Sequence, residues 1–234
     1  MTDRPLALIT GASRGIGKAI ADALGATHDL LLGGRDEKAL TSRAAELPSA
    51  RPWAVELTDD KALAAATADI DRLDVLVHSA AISRLGPLGD LSVADWRDSF
   101  DLNVVAVAEL TRLLLPALRA AEGHVVLINS GSGLKANPRW GAYAASKFAL
   151  RAYSDVLRAE EEPNGLRVTS VHPGRTDTDM QRSVRAFEEG DYVAEKYMRP
   201  ESVAAIVKAA VETPRDAHVH QIVIRQASPP PRDF

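Results

Sequence analysis

A tyrosine and a lysine one helical turn apart have the spacing needed for proton transfer to a carbonyl oxygen. Tyr143 and Lys147 lie four residues apart in a stretch of helical pattern, so both side chains project from one face. A free tyrosine has a pKa of about 10, and an adjacent ammonium group favours the phenolate and lowers that pKa. Ser130 ends an apolar run upstream, where its hydroxyl could hold a substrate oxygen. Taken alone, such a pair is more often coincidental, so its interpretation depends on the rest of the chain.

A glycine-rich turn follows the first apolar run. Residues 10–17 read Thr-Gly-Ala-Ser-Arg-Gly-Ile-Gly, and a helical pattern begins at once. Glycine allows a tight turn and a close approach to a pyrophosphate, and the new helix offers free N–H groups to an anion. A structural turn without a ligand is the alternative, but a position at the first strand-to-helix junction favours a dinucleotide site. The residues assigned to this site are Gly11, Ser13, Arg14, Gly15, Ile16 and Gly17.

The end of the second apolar run indicates which dinucleotide binds. NAD sites commonly place an acidic residue there, whereas the 2′-phosphate of NADP calls for arginine. This chain reads Leu-Gly-Gly-Arg over residues 32–35, and Arg14 could reach the same phosphate. Two planar guanidinium groups suit a dianionic phosphate, so NADP(H) is favoured over NAD. Arg14 and Arg35 could instead be solvated surface charges, and Asp36 could supply the acid after a register shift of two.

The elements that must position these residues alternate between short apolar runs and helical patterns. Runs with little polar alternation are typical of parallel strands covered on both faces. The predicted strands are Leu6–Thr10, Leu30–Gly33, Trp53–Leu57, Val75–Ser79, His124–Asn129, Val168–His172 and Gln221–Arg225. The predicted helices are Ile16–Thr27, Glu37–Leu47, Lys61–Ile70, Val93–Ala120, Tyr143–Glu161 and Ser202–Glu212. This order predicts an α/β fold of the Rossmann type, a doubly wound seven-stranded parallel sheet with helices on both faces.

Length and irregular stretches suggest the domain organisation. The chain of 234 residues suits one α/β domain, which we expect over residues 1–227. Three consecutive prolines suggest a disordered tail over residues 228–234. The least regular internal stretch, Arg175–Arg199, holds one short amphipathic run among charged residues. We expect this cover segment to be a mobile cover over the site.

Composition excludes several classes of function. Hydrophobic residues make up 46% of the chain and charged residues 26%, as in soluble globular proteins. The net charge of −4 favours neither nucleic acid nor an anionic membrane as partner. The absence of cysteine excludes disulfides and thiolate catalysis, and the histidines show no metal-ligand spacing. With no signal peptide or membrane-spanning run expected, the default location is cytoplasmic.

In combination, these motifs resemble the short-chain dehydrogenase/reductase family. The likeness rests on Thr-Gly-x-x-x-Gly-x-Gly at 10–17, on Tyr143-x-x-x-Lys147, and on Ser130 thirteen residues before the tyrosine. It continues through Asn103 and through Pro173-Gly174 with its two following threonines, and it runs in order from Leu6 to about Thr178. It implies an NADP-dependent oxidoreductase that transfers a hydride between nicotinamide and a carbonyl or secondary alcohol.

The resemblance also implies roles for individual residues. Tyr143 would be the general acid or base, Lys147 would lower its pKa and bind the nicotinamide ribose, and Ser130 would orient the substrate carbonyl. Asn103 would hold a water in a proton relay to Lys147. Further residues implied to contact the cofactor are Glu56, Leu57, Ser79, Ala80, Pro173, Gly174, Thr176 and Thr178. Thr178 could equally be the cap of a following helix.

Three positions depart from the family pattern. The usual Asn-Asn-Ala-Gly after the fourth strand reads His-Ser-Ala-Ala here, which places His78 in a structural position and adds the methyl of Ala81 near the cofactor path. Glu56 replaces the adenine-binding aspartate and is one methylene longer. Asn129 replaces the first serine of a Ser-Ser pair, which leaves Ser130 aligned and Ser132 as a possible substitute.

Two other functions compete with a carbonyl reductase. A catalytically idle NADP-binding sensor or scaffold would not need Ser130 or the Tyr143 phenol, and a sugar-nucleotide epimerase would need a larger C-terminal domain than this chain offers. We expect the substrate to contact Ser83–Leu91, Gly131–Trp140 and the cover segment. The substrate itself stays open beyond a small carbonyl or alcohol. Family members often pair through long helices, so a homodimer or homotetramer is expected.

Overall fold

The computed structural model describes residues 4–227, so the predicted tail at 228–234 lies outside the described residues. Strands and helices alternate along the chain, as the sequence predicts. The strands are β1 (Leu6–Thr10), β2 (Asp29–Gly34), β3 (Ala50–Ala54), β4 (Val75–His78), β5 (His124–Ile128), β6 (Arg167–Pro173) and β7 (Gln221–Ile224). The helices are α1 (Gly15–Leu24), α2 (Glu37–Ala44), α3 (Asp60–Thr67), α4 (Val93–Phe100), α5 (Ala106–Ala120), α6 (Gly141–Glu161), α7 (Asp179–Phe187) and α8 (Pro200–Val211).

The seven strands form one parallel sheet in the order β3-β2-β1-β4-β5-β6-β7. The order reverses between β1 and β4, which opens a crevice at the carboxyl ends of those strands. This arrangement confirms the predicted doubly wound Rossmann fold. It brings the glycine-rich turn after β1 and the polar residues after β4, β5 and β6 to one edge of the sheet.

Two apolar cores lie on opposite faces of the sheet. Ile9 of β1 packs with Ile20 of α1 and Val207 of α8 on one face. Leu8, the next residue along β1, packs with Leu110 of α5 and Leu157 of α6 on the other face. Since successive strand side chains point to opposite faces, burial of both explains the continuous apolar runs of the sequence.

The third strand begins three residues earlier than the sequence predicts. The prediction of Trp53–Leu57 avoided Pro52, whereas the observed β3 contains this proline opposite Leu32. β3 is an edge strand, and an edge strand tolerates a residue without an N–H donor. Glu56 and Leu57 therefore lie beyond the strand, at the carboxyl edge of the sheet.

The single long helix predicted over Val93–Ala120 is interrupted. α4 begins with a capping box between Ser92 and Asp95, and a π-helical turn over Asp101–Val105 then separates it from α5. π-turns within helices occur frequently at functional sites.

The cover segment is more regular than the sequence predicts. It contains α7, and a bridge between Thr176 and Met198 joins its two ends. The N–H of Asp177 donates to the Met198 carbonyl at 2.8 Å, and the N–H of Met198 donates to the Arg175 carbonyl at 3.1 Å. Among residues 4–227, no helix is both long and apolar enough to cross a bilayer.

Candidate active site

A cleft of about 1110 Å³ opens at the carboxyl edge of the sheet. The structure brings nearly every sequence-predicted site residue to this cleft. Its lining includes Gly11, Ser13, Arg14, Gly15, Ile16, Gly17, Arg35, Glu56, Leu57, Ser79, Ala80, Ser130, Tyr143, Lys147, Pro173, Gly174, Thr176 and Thr178. Asn103 is the predicted residue that does not line the cleft, although its neighbour Leu102 does.

The glycine-rich turn depends on missing side chains. Gly11 and Gly15 adopt φ values of +67° and +57°, which favour glycine. A Cβ atom on Gly17 would lie 2.3 Å from the Gly11 carbonyl oxygen, and one on Gly11 would lie 3.0 Å from the Ala80 Cα atom. The turn therefore packs directly against the segment after β4, as a close backbone approach to a ligand requires.

The N-terminus of α1 is free to receive an anion. Within the described chain, the residue that precedes the helix, Arg14, makes no side-chain cap, and the first turn contains no acidic residue. The Thr10 hydroxyl accepts the N–H groups of Ser79 and Ala80 at 3.0 and 3.1 Å, which ties the end of β4 to the turn. Free helical N–H groups and a positive dipole end then face the cleft.

Two exposed arginines stand at the far end of the cleft, each beside a carboxylate. Arg14 lies 3.4 Å from Asp179 of α7, and Arg35 lies 3.7 Å from Glu56. The arginine side chains are 74% and 77% exposed, so each pair is weak and its guanidinium group can accept another anion. Glu56 also accepts hydrogen bonds from the N–H and hydroxyl of Thr58, and these two bonds orient its carboxylate.

Three polar side chains meet at the other end of the cleft. Tyr143 and Lys147 are buried on one face of α6, and the lysine Nζ donates to the Ile128 carbonyl at 3.1 Å. Nζ also lies 5.8 Å from the centre of the Tyr143 ring. The Ser130 side chain lies close enough to Tyr143 to lower the pKa of its phenol, whereas Ser132 contributes its backbone N–H to Ser130 Oγ. The geometry thus favours Ser130 over Ser132 as the serine beside the phenol.

Burial has the largest effect on the pKa values of Tyr143 and Lys147. It raises the pKa of Tyr143, and the Ser130 hydrogen bond opposes the rise. Burial also lowers the pKa of Lys147 from 10.5 to about 8. The groups that shift the pKa of Tyr143 in this structure do not include Lys147, so the predicted effect of the lysine on that pKa stays a prediction. At neutral pH the site therefore holds a neutral phenol and a lysine that is mostly charged.

Asn103 is occupied by structural hydrogen bonds. It lies in the π-helical turn, where Oδ1 accepts the Ile82 N–H and Nδ2 donates to the Ile82 carbonyl, both at 3.0 Å. Nδ2 also donates to Ser146 Oγ at 3.0 Å. Asn103 thereby fixes the segment after β4 to α6, the helix of Tyr143 and Lys147. The sequence did not predict a role for Ser146, because no motif or spacing indicates its contact with Asn103.

Thr178 combines the two interpretations that the sequence left open. Its hydroxyl accepts the Gln181 N–H at 3.2 Å and so caps α7. Its methyl group lies 3.3 Å from the position that a Cβ on Gly15 would take. The threonine therefore caps α7 and lines the cleft beside the glycine-rich turn.

Two buried histidines have structural surroundings. His78 bonds to the Thr111 hydroxyl at 2.9 Å, and burial lowers its pKa to about 3. His172 bonds through Nδ1 to the Ser130 carbonyl at 3.0 Å and through Nε2 to the Ser170 hydroxyl at 3.0 Å. His78 takes a structural position, as the sequence suggests, and His172 helps to hold the backbone of Ser130.

Buried neutral histidines predict acid lability. His78 and His124 both have a pKa of about 3 in the fold, against 6.5 when exposed. Below pH 6.5 these two histidines bind protons in the unfolded chain but not in the folded chain. The free energy of unfolding therefore falls as the pH falls from 6.5 towards 3. By pH 5, each of the two histidines is expected to lower the free energy of unfolding by about 2 kcal/mol.

Urea unfolding at pH 7 and pH 5 measures this effect. We expect His78→Asn to reduce the pH-dependent loss of unfolding free energy by about 2 kcal/mol. Replacement of the exposed His220 by asparagine serves as the control and should leave that loss unchanged. An equal loss in wild type and His78→Asn would contradict the prediction.

Comparisons with known proteins identify the family to which the chain is related. A family model described as short chain dehydrogenase matches residues 5–189. An uncharacterized oxidoreductase of Staphylococcus epidermidis is 31% identical over 94% of this chain and 96% of its own. The glycine betaine reductase of Emericella nidulans is 32% identical over 96% of this chain, but the match spans only 19% of that longer protein. The alcohol dehydrogenase of Thermococcus sibiricus, solved with 5-hydroxy-NADP, superposes with a TM-score of 0.89 at 25% identity, over 98% of this chain and 100% of that one.

The chain belongs to the short-chain dehydrogenase/reductase family of oxidoreductases. Its Rossmann fold is the fold of its solved structural neighbours. The family assignment confirms the resemblance on which the sequence interpretation depends.

Proposed function

We propose that this protein is an NADP(H)-dependent oxidoreductase that interconverts a carbonyl group and a secondary alcohol. The observation that carries the proposal is the placement of Ser130, Tyr143 and Lys147 together in the cleft that begins at the glycine-rich turn. A phenol and a hydroxyl that lie side by side can together engage a single substrate oxygen.

The residues present fit a dinucleotide. The open N-terminus of α1 and the close packing at Gly17 suit a pyrophosphate. Arg14 and Arg35 would hold the 2′-phosphate, and Pro173, Gly174 and Thr176 would lie along the nicotinamide end. Two buried amides in the cleft lining, Asn129 and Gln181, have side-chain atoms without a hydrogen-bond partner in residues 4–227, as expected of a cleft that takes a polar ligand. The related alcohol dehydrogenase bound to 5-hydroxy-NADP supports the preference for NADP.

Reduction needs a proton at the substrate oxygen. When bound, NADPH supplies the hydride that adds to the carbonyl carbon. The Tyr143 hydroxyl donates its proton to the carbonyl oxygen, and the Ser130 hydroxyl donates a hydrogen bond to the same oxygen. In the reverse direction, the Tyr143 phenolate accepts the proton of the alcohol.

Lys147 supports this transfer from within the fold. Its ammonium group lies on the tyrosine side of the cleft, where a positive charge stabilises the phenolate that remains after proton donation. Its remaining N–H donors are proposed to bind the nicotinamide ribose. Asn103 acts on this group through its bond to Ser146, one residue before the lysine.

A catalytically idle NADP-binding sensor is the alternative function. Such a protein would need the glycine-rich turn and the two arginines but not the buried phenol. The placement of Ser130 beside Tyr143 in the cleft favours the enzyme, because binding of a dinucleotide does not require the Ser130 hydroxyl or the Tyr143 phenol.

A titration with both cofactors and a panel of carbonyl compounds tests the proposal. We expect NADPH oxidation with some members of the panel, and tighter binding of NADPH than of NADH. Arg35→Ala should weaken NADPH binding by about 10- to 100-fold, the value of a lost charge-assisted hydrogen bond, and should leave NADH binding unchanged.

The matched control is Arg51→Ala. Arg51 is an exposed arginine on β3, outside the cleft, so its loss should leave both affinities unaltered. Tighter binding of NADH by the wild type would overturn the cofactor assignment. Tight NADPH binding with no turnover across the panel would favour the sensor.

A further inference from the structure

An arginine that follows the last strand extends to the catalytic end of the cleft. Arg225 comes directly after β7 and lines the cleft. Its Nη1 donates to the carbonyls of His172 and Ile224, both at 2.8 Å. These two bonds use both N–H groups of Nη1, and Nε and Nη2 form no hydrogen bond within residues 4–227, which leaves the Nε–Nη2 edge available there.

Two glycines leave room for this side chain. A Cβ on Gly131 would lie 3.2 Å from Arg225 Nη2, and a Cβ on Gly174 would lie 3.4 Å from Arg225 Cδ. Gly131 directly follows Ser130 in the chain. The guanidinium group is therefore fixed against the backbone beside the serine proposed to hold the substrate oxygen.

His172 forms a second connection between Arg225 and Ser130, in addition to the contact at Gly131. Its ring bonds to the Ser130 carbonyl at 3.0 Å, while its own carbonyl accepts from Arg225. The position of Arg225 relative to Ser130 is thus set by hydrogen bonds on both sides of one residue, which distinguishes it from a freely moving surface arginine.

Two other arginines that line the cleft are paired with carboxylates. Arg84 pairs with Asp98 at 2.8 Å, and Arg175 pairs with Glu188 at 2.7 Å. Arg225 has no carboxylate partner in residues 4–227, and neither has the exposed Lys135 on the same rim. The acid that remains among the lining residues of this end is Asp101, at the start of the π-helical turn.

We propose that Arg225 binds a carboxylate of the substrate, so that the preferred substrates are oxo acids and their hydroxy acid products. The inference rests on the proposed carbonyl reduction. A planar carboxylate matches the free Nε–Nη2 edge, since guanidinium groups donate in parallel pairs. Lys135 adds a second positive charge at the rim. Arg225 acts as a specificity-determining residue and takes no part in the proton transfer.

The test compares oxo acids with their amides, using the full-length protein and NADPH. The two compounds of each pair have the same carbonyl and differ in one negative charge. We expect the wild type to reduce the acid with the higher kcat/KM. Arg225→Met should lower kcat/KM for the acid by about 10- to 100-fold, mainly through KM, and leave the amide within about twofold. Arg225→Lys, which keeps the charge, should recover part of the preference.

Controls separate recognition from structure. Arg215→Met removes an exposed arginine that pairs with Glu122 outside the cleft, and it should change neither substrate. Equal losses on acid and amide in Arg225→Met would assign the arginine a structural role and overturn the proposal. A wild type with the same kcat/KM for the amides as for the acids would also overturn the proposal, while carbonyl reduction itself would still be supported. A wild type that reduces neither of them but reduces other members of the carbonyl panel would overturn the proposal alone, and a wild type that reduces no carbonyl compound would reject the proposed function itself.

Discussion

Replacement of Tyr143 by phenylalanine is expected to lower kcat for carbonyl reduction by about 10³-fold, within the range of a lost general acid. The substitution removes one oxygen atom and keeps the ring that packs edge-on against Trp140. The hydroxyl that contacts Ser130 is then missing, so no positioned side chain can protonate the substrate oxygen. NADPH affinity should stay within a few-fold, since the glycine-rich turn and the arginines are untouched.

Tyr153→Phe provides the matched control for this variant. Tyr153 lies on the same helix, is half-buried and packs on the core rather than in the cleft. Its loss should leave kcat unchanged. Turnover by Tyr143→Phe at more than a tenth of the wild-type rate would show that another group supplies the proton.

Replacement of Lys147 by methionine is expected to stabilise the protein while it abolishes activity. A pKa lowered from 10.5 to about 8 means that the fold opposes the charged form by about 3 kcal/mol at pH 7. Methionine fills a similar volume without a charge. The lost hydrogen bond to the Ile128 carbonyl costs about 1 kcal/mol, so the net gain is about 2 kcal/mol.

The pH dependence identifies the cause of this gain. Between pH 8 and 10.5 the folded lysine is neutral while the unfolded one is still charged, so the wild type gains stability as pH rises through that window. The advantage of Lys147→Met should therefore be largest below pH 8 and shrink towards pH 10. Denaturant unfolding across this range measures it, with Lys38→Met on the exposed side of α2 as the control. A gain that does not vary with pH would rule out desolvation as its source.

The sequence was sufficient for most of the architecture. Apolar runs such as Val75–Ser79 and the glycine spacing at 10–17 are local signals, and they placed the sheet and the turn correctly. Tyr143 and Lys147 were identified by their helical spacing together with the family resemblance, since the spacing alone shows only that they share one face of a helix. The bounds of β3 were predicted wrongly, and the observed edge strand includes Pro52, which an edge position tolerates.

The sequence did not predict the contacts between segments that are distant along the chain. Asn103 bonds to Ile82 and Ser146 from a π-helical turn, where the sequence predicts one uninterrupted helix. Arg225 lies close to Gly131 only because β7 is paired with β6, which no local signal around residue 225 announces. The roles of the site residues and the association through α5 and α6 stay predictions.

The bridge that joins the two ends of the cover segment affects the entropy of substrate binding. Thr176 and Met198 are paired, the Thr178 cap holds α7, and Arg175 forms an ion pair with Glu188. A loop closed at its base loses much of its conformational freedom when the protein folds. That loss belongs to the free energy of folding, so little of it is subtracted from the affinity for a substrate. The segment is therefore expected to close as a preorganised unit, and small substrates with few contacts can still bind.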